Sequence, residues 1–177
     1  MVAYCLISIV LQGVLLVIDE GWFHRTRGLP RWERIGHPLD TLTIAVCLAW
    51  LVATDPRSPA ALSVYVGLAV FSTLFVTKDE AVHAGLCSPG EHWLHAILLV
   101  LHPIALAAFS FLWWIGAVGL LVGQLGVTIA FLAYQVIYWN IERADPESAE
   151  WNDGAWDASR GAVEAVVDAR GRQKASR

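Results

Sequence analysis

The sequence has few cysteines. Its 177 residues include three, and they lie far apart with none of the paired spacings typical of a disulfide framework or a thiolate zinc site. Two of them, Cys5 and Cys47, fall in apolar segments, where a small buried thiol is common. We therefore expect neither a disulfide-stapled domain nor a structural zinc module.

A basic patch interleaved with aromatic residues is also absent. The net charge is −4, and the lysines and arginines are scattered over loops and the C-terminal tail. Such a distribution gives a nucleic acid no concentrated positive surface to bind. We therefore expect no nucleic-acid partner.

Long apolar runs, in contrast, make up most of the chain. Apolar residues account for 56% of the sequence, and several runs approach the ~20 residues that a helix needs to cross a bilayer. In lipid such runs must be helical, because their backbone polar groups find no water. The runs predict helices at about 2–24, 60–83, 91–113 and 115–139. A further helix, the second along the chain, would cover 31–53 if Pro38 kinks it, or 38–53 if Pro38 starts it.

The predicted fold is an all-α membrane protein of about five transmembrane helices, with the lipid bilayer as its partner. Residues 1–141 would form the bundle, and residues 142–177 a polar tail with a short helix near 155–170. The first apolar run lacks a basic leader and a cleavage motif, so we expect a retained helix. The oligomeric state stays open.

Four arginines in the first loop predict the orientation: Arg25, Arg27, Arg31 and Arg34. Such clusters in short loops favour the cytoplasmic side. Five crossings then put the N-terminus outside, and the 78–92 connection and the tail on the cytoplasmic side.

Ionisable residues are distributed very unevenly. All six histidines fall in windows 24–37 and 83–102, and seven of the eight acidic residues before position 140 lie in or beside those windows. Asp55 is the exception. Ionisable groups at or inside a bilayer are costly and usually mark a site.

The two windows resemble each other and predict an internal repeat. The first reads Asp19-Glu20-x-x-x-His24, Gly28-Leu29 and Glu33-x-x-x-His37; the second reads Asp79-Glu80-x-x-His83, Gly85-Leu86 and Glu91-x-x-x-His95. Each window occupies the turn of a helical hairpin, so the first four helices would form two repeated hairpins pointing the same way.

Helical spacing then predicts a shared metal site at one membrane face. Residues three or four positions apart lie on one helix face. The expected ligands are Glu20, His24, Glu33, His37, Asp40, Glu80, His83, Glu91 and His95. The expected outer residues are Asp19, Asp79, His92 and His102. Asp19 and Asp79 would point about 100° away from the glutamates on their helices, as outer residues of the site or toward solvent. His102, two turns into an apolar helix, would ligate, relay protons or hydrogen-bond a neighbour.

Metal is expected because so many carboxylates packed together would repel one another. Two divalent cations would remove that repulsion. The arrangement is similar to di-iron and di-manganese bundles, in which Glu and Glu-x-x-His residues project inward, and Glu80-x-x-His83 has that spacing. The competing interpretation is an ion-pair network of these acids with the loop arginines and Lys78.

The ligand types favour iron, with zinc or manganese as alternatives. We therefore expect a redox-type membrane enzyme acting on oxygen or a lipid-soluble substrate, with its catalytic residues unknown. A dinuclear zinc hydrolase, a metal transporter, store or sensor, and a structural metal module remain open.

Tryptophans cluster at the predicted helix ends, which is typical of interfacial anchors. They are Trp22, Trp32, Trp93, Trp113, Trp114 and Trp139. Tyr134, Gln135, Tyr138 and Glu142 reach the same face as the predicted site, where the fifth helix either lines it or supports it.

Overall fold

A computed structural model describes residues 1–79, 83 and 87–143 of the chain. The predicted ligand Glu80 and the tail from residue 144 lie outside the described residues, as do residues 81–82 and 84–86. The described part is helical and contains no strand.

Five helices follow the apolar runs. Helix α1 covers Val2–Ile18 and continues as a π-helix over Asp19–His24 and a short turn over Arg25–Arg27. The other four are α2 at Arg31–Ala53, α3 at Pro59–Phe75, α4 at Pro89–Trp114 and α5 at Val118–Ile137. A 3₁₀ turn over Val76–Asp79 extends α3, and a π-helix over Tyr138–Glu142 extends α5.

Helix boundaries follow local chemistry. Ser58 and Ser88 cap α3 and α4, each accepting a hydrogen bond from a backbone N–H of the first turn, with proline next in sequence. Gly28 adopts a positive φ of 78° in the turn between α1 and α2, a conformation that a side chain disfavours.

All five helices, with their extensions, are long and apolar enough to span a membrane. Large apolar side chains cover the outside, including Val10, Val17, Phe71 and Val127. Lipid is the environment in which such a surface is stable. The expected all-α membrane bundle is therefore confirmed.

Inside the bundle, α4 packs along α1, while α2 packs along α5 and α3. The tightest core lies toward the end where α2 finishes and α5 begins, around Leu48, Leu51, Leu112 and Leu121. The second predicted hairpin bend falls on residues that are not described, so the internal repeat stays a prediction.

Two predicted anchors are core residues instead. Trp113 and Trp139 are buried, whereas Trp22, Trp32, Trp93 and Trp114 are exposed. Trp113 donates its indole N–H to the Thr54 carbonyl at 3.0 Å, and Trp139 donates to the Glu20 carboxylate. An indole with an N–H acceptor can be buried without losing a hydrogen bond.

Candidate metal centre

Four imidazoles form a closed ring at one end of the bundle. His24 ends the π-helix after α1, His37 lies in α2, His83 precedes α4, and His95 lies in α4. Ring centroids are 4.6 Å apart for His24 and His37, and 6.3 Å for His37 and His83. The remaining distances are 4.2 Å for His83 and His95, and 6.1 Å for His95 and His24.

Four buried carboxylates surround this ring. They are Asp19, Glu20, Glu33 and Glu91, each at most 3% exposed. Ionised carboxylates at such burial require a counter-charge or hydrogen-bond donors.

Asp19 and Glu20 both face the cluster because their segment is a π-helix. The sequence predicted Asp19 to be an outer residue of the site or to face solvent, on the assumption of about 100° per residue in an α-helix. A π-helix has i→i+5 hydrogen bonds and a wider turn, so residues four and five apart share a face. Asp19 and Glu20 therefore both reach His24, and Asp19 is buried.

His24 is oriented by Glu20 and aimed at Asp19. Its Nδ1–H donates to Glu20 Oε2 at 3.1 Å, and the other Glu20 oxygen accepts the indole N–H of Trp139. The Nε2 atom of His24 is enclosed, lies 3.4 Å from Asp19 Oδ2, and has no hydrogen-bond partner among the described residues. In the neutral imidazole with its proton on Nδ1, Nε2 presents a lone pair.

His83 and Glu33 form a second such pair. His83 Nε2 lies 3.6 Å from Glu33 Oε1, and neither atom has a hydrogen-bond partner in the described parts of the chain. Burial, followed by the nearby His95, lowers the pKa of His83 to about 3. The imidazole is therefore neutral near pH 7, the form in which histidine binds metal.

The other two histidines also have an unused nitrogen. His95 donates Nε2–H to Asp19, 3.0 Å from Oδ1, so its Nδ1 has the lone pair. His95 Nδ1 and His37 Nε2 are both buried atoms without a hydrogen-bond partner within residues 1–79, 83 and 87–143. Each of the four imidazoles thus has one enclosed nitrogen without a partner among the described residues, although buried polar atoms are nearly always hydrogen-bonded.

Arg27 lies between two of the carboxylates. Its Nη2 is 2.7 Å from Glu33 Oε2 and 3.0 Å from Glu91 Oε1. Glu91 is fixed as the third residue of α4 by a capping box with Ser88. The predicted ion-pair network is therefore present for Glu33 and Glu91, but Asp19 and Glu20 contact imidazoles instead of a guanidinium among the described residues.

Three other predicted residues lie apart from the ring. Asp40 pairs with Lys78, whose Nζ lies 2.6 Å from Asp40 Oδ1, and it belongs to none of the metal-ligand groups found in the described residues. His102 is buried and donates to Ser72 Oγ at 3.0 Å, which matches the hydrogen-bonding alternative. His92 is half-buried and belongs to no such group. Glu80 and the Asp79 side chain are not described.

Cys87 is a neighbour that the sequence interpretation missed. Its thiol lies close enough to His83 and His95 to form one three-residue ligand group. No second cysteine lies at a metal-ligand spacing from Cys87, so the sequence did not indicate it as a ligand. The turn that places it beside the histidines could not be inferred from periodicity. Burial raises the pKa of the Cys87 thiol, which keeps it protonated.

The remaining ligand groups involve only carboxylates and imidazoles. They are Asp19, His24, Glu91 and His95; Glu20, His24 and His37; and Glu33, His37 and His83. Within each group the ligand atoms lie within 4.8 Å of one another. The structure thus brings together seven of the nine predicted ligands and adds Asp19; their role as ligands stays a prediction.

No protein-family profile matches the chain, and neither the curated proteins nor the solved structures contain a match to it. The chain is thus defined by its fold and its site: an all-α bundle with five helices suited to span a membrane and a cluster of carboxylates and imidazoles with metal-binding geometry.

Proposed function

We propose that this chain is an integral membrane metalloprotein that holds two divalent metal ions in the imidazole–carboxylate cluster. One observation carries the proposal. At two separate places, an imidazole nitrogen without a hydrogen-bond partner in the described part of the chain faces a carboxylate oxygen, at 3.4 Å and 3.6 Å. These distances exceed that of a good hydrogen bond, whereas two ligands about 2.1 Å from a tetrahedral ion lie about 3.4 Å apart.

The two places belong to ligand groups that share no residue. The first group contains Asp19, His24, Glu91 and His95, and the second contains Glu33, His37 and His83. Together they use all four imidazoles of the ring, which supports two ions rather than one.

Charge supports the same number of ions. Four buried carboxylates carry four negative charges, and among the described residues only Arg27 reaches two of them with a guanidinium. Three negative charges remain after Arg27 is counted; one divalent ion would offset two of them, and a second ion would offset the third without requiring an acid to be protonated.

In this proposal, Glu20 and Trp139 lie outside the metal ligands and hold one of them in place. A metal-binding histidine usually donates its second N–H to a carboxylate, which fixes the ring and its tautomer. Glu20 accepts that N–H from His24, and Trp139 in turn donates to Glu20. We therefore assign Glu20 to hold His24 in position rather than to bind an ion.

Iron is the favoured metal, with zinc and manganese as alternatives, because the proposed ligands are hard oxygens and imidazoles. Iron would supply redox chemistry, so we propose a redox-type membrane enzyme acting on a lipid-soluble or small-molecule substrate. In a dinuclear zinc hydrolase, the same ligands would hold ions that activate water.

We further propose that the cluster lies at the cytoplasmic face and the N-terminus outside. Arg25, Arg27, Arg31 and Arg34 lie at the cluster end of the bundle, and arginines favour the cytoplasmic side. In intact cells, an impermeant maleimide should then label Arg57→Cys in the opposite turn but not Gly90→Cys at the cluster end. The reverse pattern would invert the orientation.

The proposed function is tested by metal analysis of the purified full chain with Mössbauer spectroscopy. We expect about two ions per wild-type chain and about one in either His24→Ala or His37→Ala, because each removes a ligand from one group. Asp55→Ala, in an exposed turn far from the cluster, is the control. Equal metal in all variants would overturn the ligand assignment, and stoichiometric zinc without iron would overturn the redox version.

A further inference from the structure

A cavity runs from the cluster into the interior of the bundle. The section nearest the cluster is lined by His37, His83 and His95 together with apolar residues of α1, α2 and α4. The next section shares five wall residues with it, so the two lie directly beside each other. The shared residues are Gln12, Leu16, Thr41, Ile44 and His102.

The cavity is long and narrow. Along α4 its walls extend from His95 to Phe109, which is about 21 Å at 1.5 Å per residue, against a hydrocarbon layer of about 30 Å. Each section has a volume of about 120 Å³. A cavity that holds one benzene ring measures about 150 Å³, so the width admits a single chain.

The walls fit a lipid better than water. They are mostly apolar, with Leu106, Phe109 and Phe131 around the deeper section. Val17 of α1 and Val127 of α5 line that section and are exposed on the outside of the bundle, where lipid would lie.

Beyond the imidazoles of the cluster, Gln12 brings a further polar atom without a hydrogen-bond partner among the described residues into the cavity. Gln12 is 8% exposed and lines both sections, and its Oε1 atom has no hydrogen-bond partner in the described part of the chain. Its Nε2 lies 3.5 Å from His102 Nδ1. A buried acceptor is unfavourable unless a donor reaches it.

The neighbouring hydrogen bonds determine which atom of the Gln12 amide is available to a ligand. His102 donates Nε2–H to Ser72, whose hydroxyl donates to Thr43 Oγ1 at 2.6 Å. Thr43 in turn donates to the Asp40 carbonyl at 2.7 Å. With Nε2 of His102 protonated, its Nδ1 accepts from the Gln12 amide, so Oε1 remains free to accept.

We propose that this cavity binds a single-chain lipid that carries a hydroxyl or amide N–H donor, as the substrate of the metal centre. Gln12 Oε1 accepts that donor and fixes the position of the chain relative to the cluster. His95 and His102 are seven residues apart on α4, so the donor lies about 10 Å from the cluster end. The inference rests on the proposed metal function for its reaction, but the binding site is defined by the cavity alone.

The test uses the full chain in lipid nanodiscs and a long-chain primary alcohol carrying a photoreactive diazirine. In the wild type we expect saturable labelling of α4 between His95 and Phe109. Unlabelled alcohol should compete about five-fold better than its methyl ether, which lacks the donor, as expected for one neutral hydrogen bond. Gln12→Leu should remove that preference.

Gly13→Leu is designed to block the deeper section of the cavity, and Gly67→Leu is its matched control. Gly13 lines the deeper section, and a Cβ there meets nothing within 4 Å, so the added side chain can enter the cavity without a clash. We expect labelling to fall several-fold. Gly67→Leu on α3 also has open space but lines none of the described cavities, so labelling there should equal that of the wild type.

Labelling that is not saturable, or that competes equally with alcohol and ether in the wild type, would overturn the inference even if Gly13→Leu fails to fold. Metal content is measured on the same preparations. Bound metal without saturable labelling overturns the lipid site and leaves the metal proposal standing. Saturable labelling without metal supports the lipid site and overturns the proposed function.

Discussion

At the scale of single residues, Arg27 separates the two interpretations of the cluster. Its guanidinium is shared by Glu33 and Glu91, as an ion-pair network requires. If metal ions bind beside it, the same carboxylates acquire a second source of positive charge. The importance of Arg27 should then depend on whether metal is present.

We expect Arg27→Gln to lower the melting temperature much more in chelator-treated protein than in metal-loaded protein. Breaking a buried ion pair costs about 3–5 kcal/mol, and the partial exposure of Arg27 places the effect toward the lower end. Differential scanning fluorimetry in detergent measures both states, with exposed Arg57→Gln as the control. An equal loss in both states would favour a network without metal.

His83 predicts how the stability of the metal-free protein depends on pH. Burial lowers its pKa from an ordinary value near 6.5 to about 3, so the folded protein resists taking up a proton that the unfolded chain accepts. Between these values the unfolded state binds more protons, so stability rises with pH. It is fully present above about 6.5 and is lost as the pH falls toward about 3.

His83→Gln should therefore flatten the pH dependence of the melting temperature of chelator-treated protein between about pH 6.5 and pH 4. One such group contributes at most about 1.4 kcal/mol per pH unit. His92→Gln, half-buried at the start of α4, serves as the histidine control. An unchanged slope in His83→Gln would show that this imidazole is not held neutral by the fold.

At the scale of elements, the helices were predictable because length and apolar composition decide whether a segment spans a bilayer. The sequence left Pro38 as either a start or a kink. Helix α2 begins at Arg31 and passes through Pro38. Proline has no N–H to offer the Arg34 carbonyl, which instead accepts the Asn140 side-chain amide at 3.2 Å. A contact with a residue 106 positions away cannot be read from local periodicity.

The π-helix at Asp19–His24 was not predictable for a similar reason. Sequence reasoning applies the α-helical period, under which Asp19 and Glu20 cannot both reach one imidazole. Glycine at position 21 marks the segment but does not by itself indicate a wider turn. What stabilises it is tertiary: Trp139 on the extension of α5 donates to Glu20, and His95 on α4 donates to Asp19.

Inserting one alanine after Gly21 should abolish binding at the first ligand group. The insertion places Asp19 six positions before the imidazole instead of five, a separation that puts the two side chains on different faces of an α-helix or a π-helix. Metal content should fall while the circular dichroism of the helices is retained.

Gly21→Ala keeps the length and is the matched control, because a Cβ at Gly21 meets nothing within 4 Å. It should bind metal like the wild type. Full metal content in the insertion variant would show that the spacing between Asp19 and His24 is not needed for the site.

At the scale of the whole molecule, the cluster gathers residues from α1, α2, α4 and α5 at one end of the bundle. The composition of the cluster followed from the sequence, since four imidazoles and their carboxylates were already concentrated in two windows. Which helices contact each other did not follow, because α1 packs along α4 and α2 along α5 through non-local contacts. Trp139 therefore appeared to be an anchor until its partner Glu20 was placed beside it.

The walls of the deeper cavity section argue against the alternative that the protein is a metal transporter. An ion crossing the bundle would have to leave the cluster and enter the cavity beyond His102. Among the described residues that line this section, the polar ones, such as Gln124 and Thr128, are neutral. The rest of the wall is apolar and includes Leu106, Phe109 and Phe131. Moving a divalent ion from carboxylates and imidazoles into such surroundings is strongly unfavourable.

We therefore expect liposomes containing the protein to take up Fe²⁺ or Zn²⁺ no faster than protein-free liposomes, as followed by an enclosed metal-sensitive dye. Glu20→Gln should leave this baseline unchanged while it weakens binding, since it disturbs His24 without opening a path. Uptake by the wild type that disappears in Glu20→Gln would instead identify the cluster as the entrance of an ion pathway. Ions would then have to pass through the deeper section with water as their main ligand, which its apolar walls make unfavourable.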